Sequence, residues 1–346
     1  MKILLTIVRN CIMIMFYTIC LYIISCTSYS KTKIGQENAV WTESIFLRGF
    51  HPTTYQLLTE DYVKKYAETL KQNNIKYAYL FAGPFNSKGF LPDYAFSDTA
   101  LNSVILLKRF NPDIIILPWV GGVQDVTVHL EDSVWRNNAL QDSKRLIERL
   151  NVSGIHFDFE YVSEGNPYLD QILNKECSSN ILSYGENVIR FHRLFRELIP
   201  DVFVSSVVVA PTPGTKPWKK KTSMEELSVL TRYIDQISLL YYDTSLDTQD
   251  DFETNCMNLL YSIQELKTDE PDVQYLVSIG TFINEPELQQ FRNLDIENIA
   301  NSLKTIRTCL RKVDSDVQII DGISVYCNWE TDEDEWELIR KYWTHK

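Results

Sequence analysis

Apolar and polar segments alternate along most of the chain with a regular spacing. Short runs such as Ile75–Ala82 predict strands, because apolar runs of roughly four to eight residues are typical of buried strands. Longer segments between them, such as Glu186–Leu198, carry apolar residues three or four positions apart, which predicts helices with one apolar face. The other predicted strands are Ser44–Phe50, Asp113–Trp119, Val152–Glu160, Val202–Ala210, Asp235–Tyr242, Val273–Gly280 and Ile319–Cys327. The other predicted helices are Glu60–Asn73, Asp98–Phe110, Asp132–Leu150, Ser223–Tyr233, Phe252–Leu266, Ile296–Val313 and Glu333–Trp343.

The order of these segments predicts the fold. Strands that alternate with helices of about ten to fifteen residues are typical of parallel sheets. Eight such units in a chain of 346 residues favour a single-domain (β/α)8 TIM barrel over an open doubly wound sheet. No glycine-rich nucleotide-binding motif follows the first predicted strand, which disfavours nucleotide-binding folds. The long connections, Tyr161–Gly185 and Pro211–Thr222, follow predicted strands four and five at the face where barrel active sites lie.

The N-terminal segment has the pattern of an export signal. Lys2 and Arg9 precede the 15 uncharged residues Cys11–Ser25. This stretch is shorter than the roughly 20 residues that a membrane-spanning helix needs, and it has the length of a signal-peptide core.

The residues that close this apolar segment, Ile23-Ile24-Ser25-Cys26, resemble the bacterial lipobox. The resemblance implies that Cys26 is diacylated and that the protein is a membrane-anchored, extracytoplasmic lipoprotein of the bacterial cell envelope. Ordinary signal cleavage near Ser30 and an uncleaved anchor are the alternatives. The predicted organisation is a signal peptide over 1–25, a tether over 26–40 and the barrel over 41–346.

Charge and composition exclude several classes of function. A net charge of −12 repels phosphate backbones, so we expect no nucleic-acid partner. The five His and seven Cys residues show no metal-ligand spacing, so neither a metal nor another cofactor is predicted. Aromatic residues make up 12% of the chain and either fill the core or line a sugar-binding cleft. In an exported protein some of Cys177, Cys256, Cys309 and Cys327 could pair, and the sequence leaves open which.

The fourth predicted strand carries the main group of candidate catalytic residues. Side chains alternate across a strand, so His156, Asp158 and Glu160 share one face and the apolar residues between them share the other. The apolar face must pack against helices, which directs the polar face into the barrel. Neighbouring carboxylates resist joint ionisation, and this keeps one of them protonated for general-acid catalysis. The alternative is a buried polar network whose members satisfy one another.

The sequence of this strand, SGIHFDFE, resembles the DGxDxDxE signature of glycoside hydrolase family 18, the chitinases and related endo-N-acetylglucosaminidases. Gly154, Asp158 and Glu160 match the signature, whereas Ser153 and His156 stand where the family has Asp. On the sixth predicted strand, Leu240-Tyr241-Tyr242-Asp243 resembles the family's MxYD. Weaker similarities are Gly49-Phe50 at the first predicted strand, Gly121-Gly122 after the third and Gly322–Tyr326 on the eighth.

The resemblance implies a glycosidase that hydrolyses N-acetylglucosamine-containing glycans by a substrate-assisted retaining mechanism, and the lipobox-like segment implies that this glycosidase is membrane-anchored. The family resemblance also implies that Glu160 acts as acid and base, that Asp158 orients the acetamido group, and that Tyr242 hydrogen-bonds the acetamido oxygen. Asp243 is expected to bind sugar hydroxyls. The further substrate-binding candidates are His156 and, for ring stacking, Trp119, Tyr326 and Trp329.

His156 is the clearest departure from the family pattern, in which the second Asp shares a proton with the central Asp. A charged imidazole would hold Asp158 ionised, and a neutral one could still hydrogen-bond it. We hypothesise slow hydrolysis with a rate that falls at the pH where His156 changes charge. A passive core histidine with satisfied hydrogen bonds is the alternative.

Two other functions compete with this interpretation. A chitinase-like protein could bind such glycans with little or no hydrolysis, although the presence of Glu160 favours an enzyme. A retaining glycosidase could instead use Glu160 as acid and base and Glu285, just after predicted strand seven, as nucleophile. Barrels of that second type usually place Asn before the acid and base, where this sequence has Phe159.

Overall fold

Eight parallel strands form a closed barrel, in which each strand pairs with its neighbours in chain order and the last closes onto the first. The arrangement confirms the predicted single-domain (β/α)8 TIM barrel. This computed structural model describes residues 35–160, 184–209, 222–281, 292–313 and 318–344. The strands are β1 (Ala39–Thr42), β2 (Tyr77–Pro84), β3 (Ile115–Val123), β4 (Gly154–Glu160), β5 (Phe203–Val209), β6 (Gln236–Leu240), β7 (Gln274–Gly280) and β8 (Gly322–Tyr326).

Helices follow the strands, as the alternating pattern predicts. Polar side chains cap their first turns: Thr59 accepts from the backbone N–H of Tyr62, and Asp132 accepts from those of Val134 and Trp135. Among the described residues, no helix is both long enough and apolar enough to cross a membrane. The helices are α1 (Ile45–Arg48), α2 (Glu60–Gln72), α3 (Asp98–Phe110), α4 (Ser133–Leu150), α5 (Tyr184–Leu198), α6 (Met224–Leu230), α7 (Gln249–Asp269), α8 (Ile299–Lys312) and α9 (Glu333–Ile339).

The prediction of the first strand is wrong. The segment Ser44–Phe50 contains the helix α1, and the strand lies just before it, at β1. Three consecutive residues starting at Ile45 are all buried, as are all four residues of β1, so burial alone does not separate a helix from a barrel strand that is covered on both faces. Gly49 ends α1 with φ of +84° and donates its N–H to the carbonyl of Ile45, a left-handed cap that glycine adopts without steric cost.

Because β1 lies earlier in the chain than the predicted first strand, two other segments lie elsewhere in the fold than the sequence predicts. Ala39 and Val40, which the sequence assigns to the end of the tether, are fully buried residues of β1. The Gly49-Phe50 pair lies after α1 rather than on the first strand.

Two apolar layers hold the barrel together, one on each side of the strands. The larger layer lies between strands and helices, and a smaller one fills the barrel interior. The fully or nearly fully buried members of the interior layer are Ala39, Trp41, Tyr77, Tyr79, Leu117, Val207, Leu240, Tyr242, Leu276 and Cys327. Large aromatic side chains in this layer make the lower barrel a packed core rather than a pore.

Candidate active site

The two faces of β4 have different surroundings, as side-chain alternation predicts. Phe157 packs edge to face against Phe191 of α5, with ring centroids 5.2 Å apart. The opposite face carries His156, which is fully buried, and then Asp158 and Glu160, which are partly exposed. The polar residues therefore lie on the barrel side, and only the two carboxylates lie near its open carboxyl end.

Trp119 and Gly121 on β3 position the first carboxylate. The indole Nε1–H of Trp119 donates to Oδ2 of Asp158 at 3.0 Å. Gly121 lies opposite Asp158 in the parallel pairing of β3 and β4. A Cβ at Gly121 would lie 1.8 Å from the carbonyl oxygen of Asp158, so this close approach of the strands requires glycine. The Gly121-Gly122 pair, expected after the third strand, thus lies within β3 and fixes the backbone that carries Asp158.

Four aromatic side chains that the sequence singled out form one connected group, in which Tyr326 contacts the other three. The ring of Tyr242 stacks on that of Tyr326, with centroids 5.4 Å apart and planes 10° apart. Tyr326 in turn meets Trp119 at 6.5 Å and Trp329 at 5.6 Å, both edge to face. Trp329 is 36% exposed, so the group leads from the barrel interior to the surface. We call these four residues the aromatic cluster.

Tyr242 is buried and lies within electrostatic reach of both carboxylates of β4. Burial raises the pKa of Tyr242 well above its ordinary value, and Tyr326, Asp243, Asp158 and Glu160 add to the rise. The phenol therefore stays protonated at neutral pH and is able to donate a hydrogen bond.

Asp243 lies on a turn that is fixed by a buried glutamate. Asp243 is 1% exposed and has φ of +51°, a left-handed conformation that Asp tolerates better than most residues. The next residue, Thr244, donates its backbone N–H to Oε1 of Glu297 at 2.9 Å, and its hydroxyl donates to the same oxygen. Burial raises the pKa of Glu297 to about 7, and Asp243 adds to the rise. Sequence reasoning missed Glu297, because nothing local links it to Asp243.

His156 belongs to a closed polar network below the carboxylates. Its Nε2 accepts from the indole Nε1–H of Trp41 at 3.2 Å, and because an indole only donates, Nε2 carries no proton. The proton is therefore on Nδ1, which donates to Oγ of Ser205 at 2.8 Å. Ser205 donates onward to Oε1 of Gln236 at 2.8 Å. The imidazole also lies flat on Tyr79, with ring centroids 3.8 Å apart.

This network determines what His156 is able to do. Burial lowers the pKa of His156 well below its ordinary value, so the imidazole is neutral in the folded protein. Both ring nitrogens are engaged by Trp41 and Ser205 rather than by Asp158. The structure therefore supports the satisfied core histidine, not a group that changes charge during catalysis. With 0% of its surface exposed, His156 lies beneath the site and not on its wall.

Two residues near the carboxylates were missed by the sequence analysis. Tyr184 begins α5, and its pKa is raised by burial and further by Glu160, Asp158 and Glu226. Glu226 of α6 lines one cavity together with Asp158, Glu160 and Tyr184. Its side chain accepts the backbone N–H of Ser223 in a capping box. The capping pattern was visible in the sequence, but only the fold brings α6 beside β4.

Other predicted residues fall outside the described part of the chain. These are Cys26, Cys177 and Glu285. The lipid anchor and the two-carboxylate alternative therefore stay predictions.

One group of described side chains has a spacing suited to a metal ion, although the sequence predicted none. Asp125, His129 and Glu131, in the connection after β3, each offer a ligand atom, and these atoms lie within 4.8 Å of one another. The amide of Gln124 donates to both Asp125 and Glu131, at 3.1 and 2.6 Å. The three residues lie on an exposed loop, and their hydrogen bonds within the loop account for the arrangement.

Comparison with known proteins gives a fold but no close relative. No protein-family model and no curated protein matches the sequence. Among solved structures, the chain is similar to the group IV chitinase of Ostrinia furnacalis, with a TM-score of 0.58 and 12% identity over 90% of this chain and 100% of that one.

Two further structures are similar to the same extent. The spore cortex-lytic enzyme SleL of Bacillus megaterium QM B1551 has a TM-score of 0.54 and 10% identity, over 90% of this chain and 75% of that one. The GH18 chitinase of Cycas revoluta, solved in complex with (GlcNAc)3, has a TM-score of 0.54 and 12% identity, over 88% and 99%. The structural neighbours of this barrel are thus GH18 chitinases and a spore cortex-lytic enzyme, and at this identity the likeness establishes the fold alone.

Proposed function

We propose that the protein is a glycosidase that hydrolyses N-acetylglucosamine-containing glycans by substrate-assisted catalysis. The observation that carries the proposal is the position of Asp158 and Glu160 at the end of β4 and of Tyr242 just after β6, at the carboxyl end of the barrel. Active sites of (β/α)8 enzymes lie at this end. The likeness of the fold to chitinases, one of them bound to an N-acetylglucosamine oligomer, supports the same substrate class.

Each residue has a defined task in this mechanism. Glu160 protonates the glycosidic oxygen while the acetamido carbonyl oxygen of the same sugar attacks the anomeric carbon, so the glycosidic bond breaks as a cyclic oxazolinium forms. Asp158, oriented by Trp119, accepts the acetamido N–H and stabilises the positive charge. Tyr242 donates to the acetamido oxygen. The Glu160 carboxylate then takes a proton from water, which adds to the anomeric carbon and reopens the ring.

The aromatic cluster supports a sugar ligand in particular. Indole and phenol rings present flat apolar surfaces to the C–H faces of sugar rings, while their N–H and O–H groups reach hydroxyls. Trp329 at the surface end and Tyr326 in the middle offer such faces in succession. We propose that successive sugar units lie along this cluster, with the reacting unit next to Tyr242.

Glu160→Gln tests the enzymatic function. The amide keeps the size of the side chain but has no acidic proton, so hydrolysis of a panel of N-acetylated oligosaccharides should fall by about a thousandfold. Glu186→Gln, an exposed position on α5, is the matched control and should retain activity. Equal activity of wild type and Glu160→Gln would refute the assigned role.

The mechanism has a separate test. A thiazoline analogue of N-acetylglucosamine mimics the cyclic intermediate and should inhibit competitively. A glycosyl ester trapped on an enzyme carboxylate would instead favour the nucleophile mechanism through Glu285.

The alternative function, glycan binding with little hydrolysis, is favoured by one observation. His156 replaces an acidic residue of the family signature, and its nitrogens are engaged with Trp41 and Ser205, so it does not exchange a proton with Asp158. Binding of chito-oligosaccharides to the wild type, measured by calorimetry, together with no product in the same samples, would favour this function over catalysis.

We also propose that the protein acts outside the cytoplasm as a lipoprotein of the bacterial cell envelope, anchored through Cys26. The lipobox-like sequence Ile23–Cys26 after the apolar segment supports this. Labelled fatty acid should be incorporated into the wild type and not into Cys26→Ala. Equal labelling of both proteins would refute the anchor.

A further inference from the structure

Two cysteines face each other on neighbouring helices, away from the candidate active site. Cys256 of α7 and Cys309 of α8 are both 0% exposed and belong to the layer between strands and helices. The Sγ of Cys309 lies 3.7 Å from the carbonyl oxygen of Glu253, one turn before Cys256 on α7. Burial and Cys309 raise the pKa of Cys256, and Cys256 lowers the pKa of Cys309, so each thiol acts on the other. Cys327 belongs to the interior layer on the other side of the strands.

We propose that Cys256 and Cys309 are a disulfide site that joins α7 to α8 when the protein folds in an oxidising compartment. The sequence leaves the pairing of the cysteines open, and the packing of these helices selects one pair among the described residues. A disulfide needs the two sulfurs to approach to about 2 Å. Here the two helices pack side by side, and the sulfur of Cys309 lies against the helical turn that precedes Cys256, so the required movement is small. The site is separate from Glu160 and independent of any hydrolytic activity.

The bond forms by two thiol–disulfide exchanges with a small-molecule or protein disulfide as oxidant. The thiolate of one of the two cysteines attacks one sulfur of the oxidant and releases one thiol. The other cysteine then gives up its proton, attacks the sulfur of the first and releases the second thiol, so two protein thiols are oxidised and one disulfide is reduced to two thiols.

Exchange with the oxidant needs access to the sulfurs. Because both side chains are fully buried in the folded protein, exchange takes place during folding, before α7 and α8 have packed together.

The cross-link would close a loop of roughly 50 residues that contains β7. Closing such a loop restricts the unfolded chain and should raise the melting temperature by roughly 5–10 °C. Neither helix end would need to move far, since α7 and α8 already pack side by side.

The test uses the full chain refolded with oxidised glutathione, then alkylated without reductant and mapped by mass spectrometry. We expect one linked peptide pair containing Cys256 and Cys309, and a melting temperature that falls on addition of reductant. Cys256→Ser and Cys309→Ser should lose both the linked pair and the response to reductant, while Cys327→Ser should keep both.

The peptide map of the wild type tests the proposed disulfide even where a serine variant fails to fold. Full alkylation of Cys256 and Cys309 after oxidation would overturn the proposal, as would a linkage of either residue to Cys177 or Cys327. Glu160→Gln should form the same linkage as the wild type, so loss of hydrolysis and loss of the disulfide are distinguishable.

Discussion

His156 and Asp158 lie two residues apart on the same face of β4, yet their surroundings are opposite. His156 is sealed among Trp41, Tyr79 and Ser205, with both ring nitrogens engaged. Asp158 is partly exposed, and the indole N–H of Trp119 donates to its Oδ2. Two residues along the strand, about 6–7 Å, separate the packed core from the wall of the candidate site.

The difference shows how depth in the barrel decides the role of a polar residue. In the lower layer, aromatic rings exclude water, so a polar group must be neutral and fully hydrogen-bonded to be stable there. At the carboxyl end, the same inward direction leads into open space, where a carboxylate is able to meet a ligand. His156 thus contributes to stability, and Asp158 is accessible to a ligand.

The largest expected effect is a loss of catalysis when Asp158 is substituted. Asp158→Asn keeps the size of the side chain and an oxygen that accepts from Trp119, so the fold should be unchanged. The loss of negative charge opposite the oxazolinium should lower kcat by about a thousandfold, equivalent to about 4 kcal/mol. Steady-state kinetics on a chito-oligosaccharide, with circular dichroism as a check of folding, measures both. An active Asp158→Asn would show that the comparison with His156 is mistaken.

A substitution at His156, in the packed layer below Asp158, should instead reduce stability. His156→Ala removes the acceptor of the Trp41 indole N–H and leaves a cavity beside Tyr79. Unfolding in urea should show a loss of about 3 kcal/mol in stability at pH 7, from the unpaired donor and the cavity together. A loss of kcat with no loss of stability would contradict a structural role for His156.

Two neighbouring tyrosines extend the comparison to β6 and the turn after it. Tyr242→Phe keeps the stack on Tyr326 but removes the hydroxyl, and should lower kcat by about 10- to 100-fold. The hydroxyl of Tyr241 donates to the carbonyl of Phe252 at 2.7 Å on the helix side. Tyr241→Phe should therefore retain activity and lose about 1 kcal/mol of stability. Equal effects of both changes on kcat would contradict the separation of the two faces.

The last expected effect is a dependence of stability on pH. His156 has a lowered pKa in the folded protein, so below about pH 6.5 the unfolded state binds the proton that the folded state excludes. The wild type should lose about 1.4 kcal/mol of stability from this residue for each pH unit below 6.5, down to the folded-state pKa.

His156→Asn lacks this contribution and serves to isolate it. The difference in unfolding free energy between wild type and His156→Asn should shrink by about 2 kcal/mol between pH 6.5 and pH 5. The pKa of Glu297 is raised to about 7, so its protonation stabilises the folded protein as the pH falls over this range. This contribution is the same in both proteins and therefore cancels in the difference. A difference that stays constant with pH would mean that His156 titrates normally in the fold.

The alternation of apolar and polar segments was enough to predict the barrel, because each strand buries a short apolar run and each helix one apolar face. It failed at Ser44–Phe50, where three consecutive buried residues fit either a strand or a helix, and only the left-handed Gly49 marks the helix end. The carboxylates of β4 were found because alternation fixes which side chains share a face.

The sequence by itself determined the fold class, the inward face of β4 and the residues on it. Only the tertiary structure decided that Tyr184, Glu226 and Glu297 lie near the site, that His156 is a neutral core residue, and that Cys256 meets Cys309. Local periodicity depends on a residue's own strand or helix, so it is readable along the chain. Contacts between distant segments depend on barrel closure and helix packing, and these fix both the depth of a side chain and its partners.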